Sequence, residues 1–282
     1  MVEIAREIHD RLAAELKAQD RDRYMTGLFA PPAARDRLFA LYAFNLELAR
    51  IADLVSEPMI GEIRLQWWRE AVEGVMAGTP RRHDVTEALA AAMDAARLQE
   101  SDLVALIDAR SADLDEAPFE TLDGLLAYLD GTAGTLMRLA CDLLGAPAAP
   151  ELSRAGGRAY GLTGVLRAIG YHAAEGRVLL PKAMLRAEDI DPHDLIQRRA
   201  TPGLHRVVAA LAQSAEGALA DLLARRRDIP RAAVPAFLPA VLARADLKLL
   251  RRVGFDPFAP ALAAPRPGRI ARLIWHGMRQ RL

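Results

Sequence analysis

A disulfide framework within the chain is excluded at once, because Cys141 is the only cysteine. A lone thiol also rules out a cysteine-based zinc site and fits a reducing compartment. An excess of either charge is missing too, with 37 basic and 37 acidic residues among 282. General nucleic-acid binding draws on surplus Lys and Arg to displace counterions, so the balance argues against it and no nucleic-acid partner is expected. Lysine is scarce: nearly all the basic residues are arginines. Their forks suit phosphate groups, although a biased genome composition produces the same excess. No uninterrupted apolar run approaches the roughly 20 residues that span a bilayer. The opening "MVEIAREIHDRL" reads as a charged helix rather than a secretory signal. The expectation is a soluble protein.

Alternating apolar and polar runs are lacking, and β-branched residues are few. What is present is Ala, Leu and Arg, with 52% hydrophobic residues recurring at three- and four-residue spacing. That periodicity predicts an all-α fold. It places about ten helices, at 2–19, 31–54, 59–76, 84–97, 101–112, 121–144, 151–174, 202–227, 231–252 and 267–281. Proline suits the first turn of the second helix, whereas Pro235 and Pro239 should kink or divide the ninth. Residues 181–203 read as a short helical excursion. No linker, repeat or break in composition appears, so residues 1–282 read as a single domain.

The usual catalytic signatures are absent: no Gly-rich phosphate loop, Gly-x-Ser-x-Gly, His-Glu-x-x-His or Cys-x-x-Cys. His172 and Glu175 share a helix face but have no third ligand, so no metal site is expected. Cys141, on an apolar helix face, is expected in the core. Trp67 and Trp68 diverge by about 100° on a helix, so one should face inward. The stretch "YGLTGVLRAIGYHAAEGRVLLP", Tyr160 to Pro181, holds three glycines on a helix that resembles a cavity wall. Before Glu175 it has no carboxylate, and Arg167 is its only charged side chain.

Several blocks of the chain resemble the squalene/phytoene synthase family, all-α enzymes that join two prenyl diphosphates head to head. "LYAF" at Leu41 resembles the entry to that family's first aspartate-rich helix, and Leu65–Trp68 its following helix. "YLDGTAGTLMRLACDLLG", beginning at Tyr128, is similar to its tyrosine-and-small-residue helix. "AYGLTGVLRAIGYHAAEGRVLLP" resembles the second aspartate-rich helix with its trailing Gly-Arg-x-x-Leu-Pro. The blocks keep the family's order and span roughly residues 20 to 260. The resemblance implies an isoprenoid-synthase helical bundle of about ten helices around a central cavity.

Departing diphosphate is held by Mg²⁺, which takes oxygen ligands from a few carboxylates and the substrate phosphates. Aspartates at i and i+4 on two facing helices would supply them. Here the second motif, approximately Q-x-x-N-x-x-R-D-x-x-E-D in the family, falls on Gly161, Gly164, Arg167, Ala168, Tyr171 and His172. Only the arginine is kept. The first, D-D-x-x-D, falls on Ala49, Arg50, Ile51, Ala52 and Asp53; a three-residue shift brings Ser56 and Glu57 into play. Neither alignment restores a two-motif magnesium site. Arg50, Asp53, Glu57, Tyr128, Gly161, Gly164, Arg167, Ala168, Tyr171 and His172 thus outline a vestigial pocket, with no catalytic residue and no metal expected. Tyr171 and His172 are expected to fill the volume metals would occupy. Arg167 either keeps a phosphate or carboxylate ligand or forms an ion pair with Asp53, Glu57 or another carboxylate.

"AFNLELARIADLVSEPMIGEIRLQWWREAVE" and "LLRRVGFDPFAP" resemble a branch of the family that serves respiratory complex I assembly and has lost the aspartates. That resemblance implies a non-catalytic role in complex I assembly, with a complex I subunit or assembly protein as partner. An active phytoene or squalene synthase, using Mg²⁺, is one alternative; a carrier of an isoprenoid or quinone is another. Residues 265–282, "PRPGRIARLIWHGMRQRL", read independently as a basic amphipathic helix. Arg269, Arg272, Trp275 and Arg279, with Arg266 and Arg281, would face a partner or an anionic membrane. The bland alternative has Trp275 capping the core and the arginines in solvent. The implied location is the bacterial cytoplasm, or the mitochondrial matrix if the protein is organellar, peripheral to the inner membrane.

Overall fold

The computed structural model describes residues 6–96, 98–264 and 267–282. Within them the chain is helical and carries no strand. The helices are α1 (Arg6–Gln19), α2 (Arg21–Gly27), α3 (Pro32–Arg50), α4 (Pro58–Met76), α5 (Asp84–Ala96), α6 (Glu100–Ala109), α7 (Leu122–Leu129) and α8 (Thr135–Leu143). They continue as α9 (Pro150–Ala174), α10 (Lys182–Ala187), α11 (Pro192–Ile196), α12 (Pro202–Ala224), α13 (Val234–Arg252), α14 (Pro260–Ala263) and α15 (Pro267–Arg279). The expected ten are all present. The rest are short: α2, α10, α11, α14 and the split of one expected helix into α7 and α8. Residues 1–5, 97, 265 and 266 of the expected helices and tail, Arg266 among them, lie outside the described residues.

Helix starts follow proline, which gives up no needed hydrogen bond in a first turn; Pro32, Pro58, Pro150, Pro192 and Pro202 all stand there. Three features differ from the periodicity. Residues 21–27 form α2 because the Asp20 carboxylate caps it, accepting from the Arg23 N–H at 3.2 Å; seven largely polar residues offer no apolar period to read. The helix expected at 121–144 is interrupted by a π turn, Asp130–Gly134. There the Thr132 and Thr135 hydroxyls donate to the carbonyls of Tyr128 and Asp130, at 2.8 and 3.1 Å, competing with the helical ladder. Proline does not divide α13: Pro235 stands in its first turn, and Pro239 removes one interior bond from a helix whose Phe237 and Leu238 are fully buried. Packing outweighs that single loss.

Two helices organise the core. α3 is buried almost all round from Leu38 to Leu46, the pattern of a central helix, and packs against α1, α5 and α8. Phe44 on α3 meets the edge of Trp68 with ring centres 5.3 Å apart. Trp68 is buried while Trp67 is half-buried, so the adjacent tryptophans diverge as a helix requires. Cys141 is fully buried, and burial pushes its thiol up to about 12.

The second organiser is α9, packed on α8, α12, α13 and the π turn. A Cβ on Gly157 would stand 2.5 Å from the Gly134 Cα, so this crossing needs glycine. α12 is long and apolar enough by composition to cross a membrane. Its buried row of Leu204, Val208, Leu211 and Ala215 packs against α9 instead. Among the described residues the buried hydrophobic side chains, Ala243 apart, form one contiguous cluster.

Candidate functional site

The α9 face carrying Gly157, Gly161, Gly164, Ala168 and His172 steps by three or four residues, so it forms one stripe along the helix. Opposite it stand the ends of α3 and α6 and the junction of α7 with the π turn. Between them lies a cavity of about 370 Å³. Asp53, Tyr128, Gly161, Gly164 and His172 line it, as do Arg23, Arg110, Asp113, Tyr160 and Arg177. The remaining expected residues lie elsewhere. Arg167, Ala168 and Tyr171 line a wider, open cleft of about 1000 Å³, which shares Tyr160 and Gly164 with the cavity. Glu57 joins Asp53, Asp113, Glu116 and Glu175 in a small neighbouring pocket of about 220 Å³. Arg50 turns to Glu15 on α1, at 3.0 Å.

Each carboxylate at the cavity is matched by an arginine. Asp113 and Arg110 lie one turn apart in a 3-10 segment and pair at 3.0 Å. Tyr128 donates its hydroxyl to Asp113 at 2.6 Å and accepts from Arg110 at 3.0 Å. Arg110 also donates to the buried Asn45 side chain at 3.0 Å. Burial pushes the Tyr128 phenol well above its ordinary value, so it stays protonated. Asp53, in the 3-10 turn after α3, accepts from Arg177. Gly176, at φ 71°, ends α9 in a left-handed conformation natural to glycine and turns Arg177 back toward that carboxylate. Arg23 pairs with Asp20 at 2.7 Å and lies over the Tyr160 ring, 5.3 Å from its centre.

Beside the cavity is a second network. Arg269 of α15 grips Asp22 of α2 with two bonds of 2.6 Å and Asp246 of α13 with two of 3.1 Å. Arg167 of α9 reaches the same two carboxylates, each at 3.2 Å, and Tyr160 donates to Asp22 at 3.2 Å. Arg167 thus forms an ion pair, with acids other than Asp53 and Glu57. Burial alone would raise the Asp22 carboxyl, but Arg269 and then Arg167 outweigh it and hold it at about 2. Arg269 was expected on an outward basic face; its side chain is only 13% exposed, because it shares the inward row of α15 with Leu273.

Tyr171 does not fill the centre: it is 53% exposed and donates to Asp53 at 3.2 Å. His172 does line the cavity. Burial, then Arg177, lowers its pKa, so it is neutral near pH 7; its Nδ1 is buried without a hydrogen-bond partner among the described residues. Sequence reasoning missed Asp20, Asp22, Arg23, Arg110, Asp113, Arg177 and Asp246 as members of these networks. Asp20 with Arg23 and Arg110 with Asp113 did carry a signal, opposite charges three residues apart.

A magnesium cluster does not fit these residues. Mg²⁺ needs oxygen ligands free to approach to about 2 Å in near-octahedral order. Asp22, Asp53, Asp113 and Asp246 instead face guanidinium groups. On α9, a Cβ at Gly161 would stand 2.7 Å from a Leu129 methyl, whereas one at Gly164 would meet open space. Among the described residues no three His, Cys, Asp or Glu side chains are grouped to hold a metal.

A family model described as squalene/phytoene synthase matches residues 16–273. A curated protein of Bos taurus, NADH dehydrogenase (ubiquinone) complex I, assembly factor 6, is 32% identical over 256 residues, 90% of this chain and 77% of that one. The presqualene diphosphate synthase of Rhodopseudomonas palustris is 31% identical over 253 residues, 86% of this chain and 87% of its own. The crystal structure of squalene synthase HpnC from Alicyclobacillus acidocaldarius superposes with a TM-score of 0.79 at 22% identity, covering 90% of this chain and 96% of that one.

Proposed function

This chain belongs to the squalene/phytoene synthase family, and from that premise we propose that it is a non-catalytic factor in the assembly of respiratory complex I. The observation that carries the reading is the neutralised cavity. The positions where the family's second motif would place amides and acids hold Gly161, Gly164, Ala168, Tyr171 and His172. Asp53 and Asp113 at the cavity, and Asp22 and Asp246 beside it, are tied to Arg177, Arg110, Arg167 and Arg269. Ionising a prenyl diphosphate requires several cations' worth of charge on the leaving group, and carboxylates held by arginine are poor magnesium ligands. Similarity to the assembly factors supports the biological half of the reading.

The protein works beside the membrane that houses complex I, from the bacterial cytoplasm or the mitochondrial matrix. The surface open to a partner subunit is the start of α4. Met59 and Ile63, one turn apart on one face, are 72% and 63% exposed, with Ile60 between them. Such unpartnered apolar groups on a surface helix suit a protein contact. The test is deletion of the gene and assay of complex I assembly and NADH-driven respiration. Loss of assembled complex I, restored by the wild-type gene but not by Met59→Asp/Ile63→Asp, is the expected result. Normal complex I in the deletion strain would overturn the reading, and would leave prenyl transfer, as in the presqualene diphosphate synthase relative, as the competing activity.

A further inference from the structure

The C-terminal helix is held to the bundle by one face only. Arg269, Leu273 and Gly277 recur every four residues on it. Arg269 is locked into Asp22 and Asp246, and Leu273 is buried. A Cβ on Gly277 would meet the Phe29 ring at 2.4 Å, so the helix backbone lies hard against α2's exit. The adjoining face, about 100° round the helix, has no packing partner that covers it fully. Ile270, Ile274 and Met278 also recur every four residues and are 37%, 42% and 76% exposed, with Trp275 beside them at 55%. Arg272 and Arg279 flank that apolar row in solvent. The Arg279 guanidinium lies 3.6 Å from the centre of the Trp275 ring.

At the end of this helix the chain turns at Gln280, φ 48°, and enters a cleft of about 480 Å³ against the loop between α12 and α13. Arg226, Arg227, Arg231 and Arg281 line it over a floor of Ile229 and Val234, and no acidic side chain lines it. The acid in that loop, Asp228, bonds to Arg225 at 3.2 Å. Arg226 donates to the Leu223 carbonyl. Arg227, Arg231 and Arg281 are exposed and form no ion pair or side-chain hydrogen bond among the described residues. In a chain of zero net charge whose buried arginines are tied to carboxylates, four arginines converging on a cleft with no acidic side chain in its lining stand apart.

The geometry points to a docking site for an anionic phospholipid surface: the arginine cleft takes lipid phosphates, and the Ile270–Met278 face of α15 lies in the headgroup–acyl boundary. Charge complementarity selects the occupant. A free phosphate would use the cleft and leave the apolar row in water. A neutral bilayer would use the row and leave the arginines without counter-charge. Only an anionic bilayer satisfies both, with Trp275 at the level where tryptophan partitions. Arg269 keeps α15 folded against the bundle, so the surface is presented without unfolding. This site stands on its own geometry and does not depend on the assembly role.

Full-length protein is mixed with vesicles of phosphatidylcholine, with and without phosphatidylglycerol, and the bound fraction is read by sedimentation as salt is raised. Binding to the phosphatidylglycerol vesicles alone, weakening with salt, is expected. Arg227→Ala/Arg231→Ala should weaken it about 25-fold, about five-fold for each basic group near an anionic surface. Trp275→Ser/Met278→Ser should weaken it separately. All four side chains are exposed, so both variants should keep the wild-type circular dichroism spectrum. Equal binding to neutral vesicles, wild-type binding by the arginine variant, no vesicle binding, or full displacement by millimolar inorganic phosphate would each overturn the proposal; the last would make the cleft a soluble-anion site.

Discussion

Two regions of this molecule are rich in arginine, and they use it in opposite ways. Around the cavity, Arg110, Arg167, Arg177 and Arg269 each meet carboxylates that are themselves largely shielded from water. In the cleft at the C-terminus, Arg227, Arg231 and Arg281 meet none. Burying an ion without a partner costs several kcal/mol, so inside the bundle an arginine and an acid come as a set. Once set, the acid has lost its use as a metal ligand. In solvent, an unpaired guanidinium costs almost nothing and keeps its affinity for an outside anion. Residue type therefore says little about an arginine's role here; its pairing says a great deal.

The contrast can be broken most forcefully at Asp246, which is 2% exposed. Asp246→Ala leaves Arg269 and Arg167 with only Asp22 between them, and should cost about 4 kcal/mol, the penalty for halving a buried pair. Urea unfolding followed by circular dichroism would show the midpoint fall at constant slope. A smaller loss, about 3 kcal/mol, is expected for Gly157→Ala, because the added methyl meets the Gly134 backbone rather than a movable side chain; thermal unfolding would report it.

Acid titration comes next. The Asp22 carboxyl is held at about 2, against an ordinary 3.8. A depressed carboxylate stabilises the fold fully above its unfolded pKa and loses that contribution as pH falls through the folded one. About 2 kcal/mol should therefore vanish between pH about 4 and about 2. Stability against pH for Asp22→Asn should be flatter over that window. At the other region, Arg227→Ala should change unfolding free energy by less than about 0.5 kcal/mol, measured in the same urea assay. A large loss there would erase the distinction between the two regions.

The helical period and the order of the family's blocks in the sequence carry the fold, including the proline-led starts of α3 and α9. The glycine wall was legible too: Gly161 and Gly164 do line the cavity. What sequence could not show is which acid meets which arginine. Asp22 and Arg269 are separated by 247 positions, and no local pattern links them. The inward turn of Arg269 was within reach, since Leu273 and Gly277 follow it at four-residue steps; composition read without the helical face hides it. Of the alternative in which Trp275 and its neighbours cap the core, Leu273 does so, whereas Trp275 stands 55% exposed. The π turn depends on threonine hydroxyls bonding back to the chain and on the close pass of Gly134 by Gly157, a tertiary contact that periodicity does not contain.

The central claim is that the cavity's acids are bound to arginine and do not serve magnesium. Purified protein incubated with Mg²⁺ and farnesyl or geranylgeranyl diphosphate, with pyrophosphate release followed over time, tests it most directly. Release no faster than in a protein-free control is the predicted result. Mg²⁺-dependent release well above that control would contradict the account.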